Sequence, residues 1–333
     1  MALKVLRAGV LSTLQDRGRW GWQHVGVPVS GAMDEMSHRA ASMLVGNSED
    51  EPTLEVTLVG PLLQFSEETV FALCGGDFQP RIAGVPVPMA RPVLARGGAQ
   101  LDLGHCRLGA RAYLAVAGGF DIPRVLGSGS TYLRGRFGGF EGRALRRGDV
   151  LPTRPRPVGL YPALWRQLAD GALFVTPKWS VEANTALMAH RHHNIRFVPG
   201  RHWEGFAPEI RERFCASAYR IAPNSDRMGY RLDGAELPFA DAGSLLSEGV
   251  TFGTIQVPPD GKPIVLMANR QTTGGYPRIG EVVSVDLPLL AQLPPGDTVR
   301  FAQITLEQAQ MLYLEREREL ALMREAVTMR MRA

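Results

Sequence analysis

Glycine and proline punctuate this chain along its whole length, and that spacing restricts it to short elements joined by turns. Of 333 residues, 37 are glycine and 24 are proline. Between them lie short β-branched or aromatic runs: LEVTLVG, VFALCGG, RAYLAVAGG, TFGTIQV and PIVLMA. Strands of about five to eight residues between turn signals predict a mainly β protein, built as a sandwich or barrel. Two helices interrupt the pattern. Asp34 is placed to cap the first, after Gly31-Ala32-Met33. Met36, Ala40, Met43 and Leu44 give it an apolar face, and Gly46-Asn47 stops it. The second starts at Thr305, where Gln308 completes a capping box, and runs to about Thr328. Leu306, Ala309, Leu312, Tyr313, Leu320, Met323 and Val327 form an apolar stripe along it, while EREREL reads as its solvated face.

The length is too great for one ordinary core and predicts two domains, 1–155 and 156–333. The proline-rich stretch from Pro152 to Leu168 reads as the linker between them. The two halves echo each other. DRGRWGW at Asp16 resembles DRMGYRL at Asp226, and CGGDFQPRIAGVPVP at Asp77 resembles FGTIQVPPDGKPI, which suggests a duplicated β unit. A net charge of +4, scattered along the chain, gives no nucleic-acid footprint. Cys74, Cys106 and Cys215 are odd in number and widely spaced, which argues against a disulfide framework or a zinc site. No leader or membrane span is recognisable, and the expected location is the cytoplasm.

The richest candidate site lies between Ser247 and Gly280. Six glycines and four prolines are concentrated in these 34 residues, around the run Gln271-Thr272-Thr273-Gly274-Gly275-Tyr276. A Gly-Gly pair offers bare N–H groups and close approach, and the flanking side chains are neutral donors and acceptors. Such a cradle suits an amide, urea or carboxylate better than free phosphate. A plain hairpin turn is the competing reading. The stretch Tyr132–Asp149 carries five arginines among five glycines, and Arg134, Arg136 and Arg143 are its candidate anion ligands; a mobile basic loop is the alternative. Asp226-Arg227 and Gln15-Asp16 each read either as a turn-capping pair or as pocket walls. His190, Arg191, His192 and His193 form a cluster in which only His190 and His192 could share a metal, and no third ligand has recognisable spacing. GSGST at Gly127–Thr131 lacks the lysine of a nucleotide-binding P-loop.

Taken together, TLQDRGRWG, SGAMD, LVGN, LEVTLVGP, YLAVAGGF, GSGST, SDRMGYRL, FGTIQVP and QTTGGYP resemble the KipA family. This family is also described as allophanate hydrolase subunit 2 or as biotin-dependent carboxyltransferases. The resemblance spans nearly the whole chain and implies two tandem cyclophilin-like β-barrel domains with a few helices, including a C-terminal one. It implies three alternative roles. The first is the C subunit of an ATP-dependent 5-oxoprolinase. In that role it works with a KipI-like subunit, the lactam-opening subunit, and ATP with Mg supplied through the complex. The second is carboxyl transfer to a urea-like acceptor, with biotin carried on a partner protein. The third is a regulator that sequesters a KipI-like kinase inhibitor. The first is the leading expectation. It places Asp226, Arg227 and Gln271 in the catalytic set, and Asn269, Thr272, Thr273, Gly274, Gly275, Tyr276, Gln256, Gln15 and Asp16 around the substrate. Asn269 stands where the family usually has aspartate, so an amide replaces an anionic acceptor or base.

Overall fold

The computed structural model describes residues 1–168, 171–181, 192–239 and 245–332. Within these the protein is mainly β, as the glycine and proline spacing requires. Two compact units separate. One comprises Met1–Arg19, Asp34–Leu187 and Glu319–Ala333, the other Trp20–Met33 and Met188–Arg318.

The first unit encloses one apolar core between two six-stranded sheets. In one sheet the strands run in the order 150–152, 2–7, 62–65, 100–102, 81–82 and 85–86. In the other the order is 174–175, 92–95, 69–77, 108–116, 53–57 and 11–15. Alternate residues of the strands, such as Leu3 and Val5 or Leu54 and Val56, point inward and are almost wholly buried. Phe65 and Phe71 stack there with centroids 5.1 Å apart. The central strand 69–77 pairs with 108–116 through an irregularity between Leu108 and Ala112. Gly75 fits that bend, because its φ is +114° and a Cβ there would lie 2.5 Å from the Arg111 carbonyl oxygen.

The second unit is a closed seven-stranded barrel, ordered 192–199, 278–282, 254–256, 264–266, 229–233, 218–221 and 298–303. A parallel pairing of His192–Pro199 with Thr298–Gln303 completes the closure. Phe197, Phe214, Tyr219 and Phe301 fill its interior, with Phe214 and Phe301 stacked at 4.7 Å.

Helix ends follow the local chemistry. Helix α1 (Glu35–Leu44) is capped by Asp34, whose carboxylate accepts from the Ser37 N–H at 2.9 Å, and Gly46 turns the chain out at φ +72°. The stretch read as a linker contains a second helix, α2 (Pro162–Leu168), which buries Leu164 and Leu168. Its first residue is proline, which needs no donor in the first turn, so richness in proline did not exclude a helix. Two further helices, α3 (Pro208–Ala216) and α4 (Leu287–Ala291), border the barrel strands. The last helix, α5 (Leu306–Arg332), opens on the expected capping box: Thr305 N–H donates to Gln308 Oε1 at 2.9 Å, and Gln308 N–H donates to Thr305 Oγ1 at 3.2 Å. It runs a turn beyond Thr328. Arg330 and Arg332 suit the negative end of its dipole, and the Tyr161 N–H caps the Met331 carbonyl at 2.9 Å. The apolar stripe is only partly buried. Of its members Leu320 and Val327 are covered, whereas Leu306 and Tyr313 stay 55% and 46% exposed; Met331, beyond the expected end, is covered too.

Candidate functional site

In the second unit, the Gln-Thr-Thr-Gly-Gly-Tyr run forms a short strand at the barrel rim. Thr273–Gly274 pairs with Glu248–Gly249, and the Val250 N–H donates to the Thr272 carbonyl at 3.1 Å. Gln271, Thr273 and Tyr276 are exposed, and Thr272, Gly274 and Gly275 are half-buried. Beneath this strand lies Gln256, the last residue of strand Thr254–Gln256 and only 2% exposed. Its Nε2 has no hydrogen-bond partner among the described residues. A Cβ at position 274 would collide with that nitrogen, so glycine lets the strand lie directly on the amide. A buried amide N–H₂ without an acceptor costs about 1–3 kcal/mol.

In the same unit Asn269 is buried, and its backbone N–H donates to the Arg227 carbonyl at 2.7 Å. The Arg227 guanidinium lies within 3.5 Å of Asn269 Oδ1 and donates to the Gly31 carbonyl. Arg227 therefore ties Asn269 to the Ser30–Gly31 turn. In that turn Ser30 adopts φ +59°, a strained value for serine, and its buried hydroxyl has no partner among the described residues. Below Gln271, Arg270 is buried and its Nε–H donates to the Val250 carbonyl at 3.4 Å. Burial lowers its pKa to about 10, against an opposing pull from Glu281. The Glu281 carboxylate accepts from Thr254 Oγ1 at 2.7 Å and Thr251 Oγ1 at 2.9 Å. Its pKa is raised, because burial outweighs those two bonds. The sequence reading passed over Ser30, Arg270 and Glu281. The signals were present: a serine opening SGAMD, and the arginine inside NRQTTGG.

Asp226 is exposed, and its Oδ1 accepts from the Met228 N–H at 2.7 Å and the Gly229 N–H at 3.3 Å, so its carboxylate closes a turn. Asp16 closes the same kind of turn in the first unit, accepting from the Gly18 N–H at 2.8 Å, and adds a larger role. Its carboxylate also accepts from Ser128 Oγ at 2.7 Å, Ser130 Oγ at 2.5 Å and the Gly129 N–H at 2.6 Å. The GSGST loop is thus wrapped around Asp16, and its donors point inward to that anion. The backbone N–H groups a nucleoside triphosphate would need are also taken, Gly129 by Asp16, Ser128 by the Val125 carbonyl, Ser130 by Ser128 Oγ and Thr131 by the Leu14 carbonyl, so the loop does not fit one. Gln15 is fully buried beside it and donates to Thr13 Oγ1 at 3.0 Å and the Thr131 carbonyl at 3.2 Å. Arg19, whose pKa burial lowers, donates to the Ser130 carbonyl and lies over the Phe137 ring, 4.9 Å from its centroid.

The arginine-rich loop divides. Arg143 is held by Asp149 through bonds of 2.7 and 2.9 Å and by Glu141 at 2.5 Å, which raises its pKa and fills its guanidinium fork. Arg134 and Arg136 are exposed. Of the histidine cluster, His193 is buried on its strand, and His190 and Arg191 lie outside the described residues. Among the described residues no helix is long and apolar enough to cross a membrane.

The protein is mainly β, and in its barrel unit the Thr273–Gly274 strand lies over the buried side-chain amide of Gln256. The chain belongs to the carboxyltransferase domain family (subdomains A and B), which matches residues 25–303. It is similar to the C subunit of 5-oxoprolinase from Escherichia coli, 38% identical over 92% of this chain and 93% of that protein. The protein of the same name from Haemophilus influenzae is 35% identical, with 92% of each chain covered. Among solved structures, Kluyveromyces lactis urea carboxylase superposes with a TM-score of 0.84 at 31% identity. That match covers 97% of this chain but only 29% of the urea carboxylase, so this chain corresponds to a fraction of it.

Proposed function

We propose that this chain is the C subunit of an ATP-dependent 5-oxoprolinase-type complex, in which it binds the cyclic amide for hydrolytic ring opening to glutamate. The observation that carries the proposal is the buried, unpartnered Gln256 Nε2 beneath Gly274. An inward-facing neutral donor matches a lactam carbonyl oxygen. Charge developing on that oxygen as the amide is activated strengthens the bond, so the interaction favours the transition state. Reaching the donor requires the Thr273–Gly274 strand to lift by a small amount. It is a two-residue ladder at the rim, which makes such a movement inexpensive. Asn269, fixed by Arg227, and Gln271 orient the remaining amide atoms, with Tyr276 and Thr272 at the rim. The filled GSGST loop and the neutralised Arg143 favour ATP and Mg being held by two partners, one KipI-like and one lactam-opening.

The test is reconstitution. The chain with both partners should release glutamate from 5-oxoproline only when ATP is present; absence of release from the complete mixture would refute the assignment. The likeness to urea carboxylase favours a second reading, carboxyl transfer from biotin on a partner protein to a urea-like acceptor. The same cradle fits a ureido carbonyl. Inhibition of the reconstituted reaction by avidin would select that reading, and indifference to avidin would remove it.

A further inference from the structure

Helix α5 carries a second apolar face that is wholly unlike its buried one. Met311, Leu314, Leu322 and Met329 are 69%, 55%, 67% and 73% exposed. With Arg318 and Glu325, both exposed, they lie at helical spacing along one side. The covered residues Leu320, Val327 and Met331 lie on the opposite side. The stripe is therefore no continuation of the core contact. Its length, from Met311 to Met329, is about 27 Å at 1.5 Å per residue.

The order of residues along the stripe is self-complementary. Laid antiparallel against itself, with a two-fold axis between Ala321 and Leu322, the stripe sets Arg318 opposite the partner's Glu325. Leu314 then meets the partner's Met329, and Leu322 meets the partner's Ala321. The small side chain of Ala321 lets the backbones approach where the axis passes. A parallel arrangement would place Arg318 against the partner's Arg318 and Glu325 against the partner's Glu325, which like-charge repulsion disfavours. We propose that the exposed face of α5 is an isologous interface that pairs two copies of this chain antiparallel, with Arg318 and Glu325 forming two symmetry-related ion pairs around an apolar centre.

Sedimentation velocity of the full chain, from micromolar to near-millimolar concentration, tests this. The wild type should form a concentration-dependent dimer, and Leu322→Lys should leave a monomer with an unchanged circular dichroism spectrum. Arg318→Glu and Glu325→Arg should each weaken association by about tenfold or more, since each creates two like-charge contacts. The double reversal Arg318→Glu/Glu325→Arg should restore it. A wild-type monomer at every concentration, a dimer indifferent to Leu322→Lys, or a double reversal no better than the singles would each overturn the proposal.

Discussion

Gly274 lies directly over the side-chain amide of Gln256, so close that a single methyl group at position 274 would collide with Nε2. Gln256 is buried, and that nitrogen has no acceptor among the described residues. On the proposed function this pair is a roof over a carbonyl donor, and mutation can separate its part in binding from its part in stability.

Gln256→Leu removes an unpartnered donor and keeps the volume, so folding stability should stay within about 1 kcal/mol of wild type or rise. Turnover of the reconstituted complex should fall by about 10²-fold, the usual loss for one preorganised carbonyl donor. Denaturant midpoints and glutamate release, measured on the same preparation, check both parts. A stability loss of the size seen for core cavities, with activity retained, would mean that Gln256 is only packing. Gly274→Ala should reduce activity in the same direction by displacing the roof.

Asp16→Asn should destabilise the first unit by about 3 kcal/mol. One carboxylate accepts four donors, three from the remote segment Ser128–Ser130 and one from nearby Gly18, and an amide nitrogen there would face N–H and O–H groups that need an acceptor. Chemical denaturation measures this directly. A loss below about 0.5 kcal/mol, the ordinary range of surface changes, would contradict the reading of Asp16 as the organiser of the GSGST loop.

Asp226→Ala removes a turn cap at an exposed position. The expected cost is about 1 kcal/mol of stability, with turnover close to wild type. Arg227→Lys keeps the charge but loses the planar fork that reaches Gly31 and Asn269, and it should raise KM for the amide substrate. Steady-state kinetics of the two variants side by side distinguishes a turn residue from a positioning residue. The opposite pattern would place the Asp226 carboxylate in the chemistry.

Stability should fall as pH drops below about 6.5, the ordinary histidine value. His38 is fully buried, with one ring nitrogen 2.8 Å from Thr53 Oγ1 and the other 2.8 Å from the Glu49 carbonyl, and burial lowers its pKa. A depressed histidine pKa means that the unfolded chain binds a proton the folded chain refuses. Stability therefore rises with pH through that window and is lost on acidification. His38→Gln keeps a donor towards Glu49 and should flatten this slope in melts from about pH 7.5 to 5.5, which bracket the histidine range. An unchanged slope would assign it to other groups, among them His202, whose pKa burial also lowers.

Features set by contacts within a few residues are legible in the sequence. Asp34 capping α1 and the Thr305–Gln308 box on α5 are bonds spanning three positions, so spacing alone reveals them. The Asp16 and Asp226 turns echo one another for the same reason: each carboxylate reaches the N–H two residues on. The occupation of Arg143 by Asp149 was within reach of the sequence, but a row of arginines does not show which one folds back on its own loop.

By itself the sequence determined a mainly β chain of short strands, two capped helices and a glycine-rich stretch suited to a neutral polar group, because turn chemistry, side-chain period and capping act over a few residues. Only the tertiary structure decided which polar groups are already satisfied. Asp16 meets Ser128 and Ser130 across more than a hundred residues, and that contact closes the glycine- and serine-rich loop around a carboxylate. Gln256 is left without an acceptor because the chain returns to roof it with Gly274. Hydrogen-bond satisfaction depends on distances between remote segments, and no local pattern of residue types encodes them.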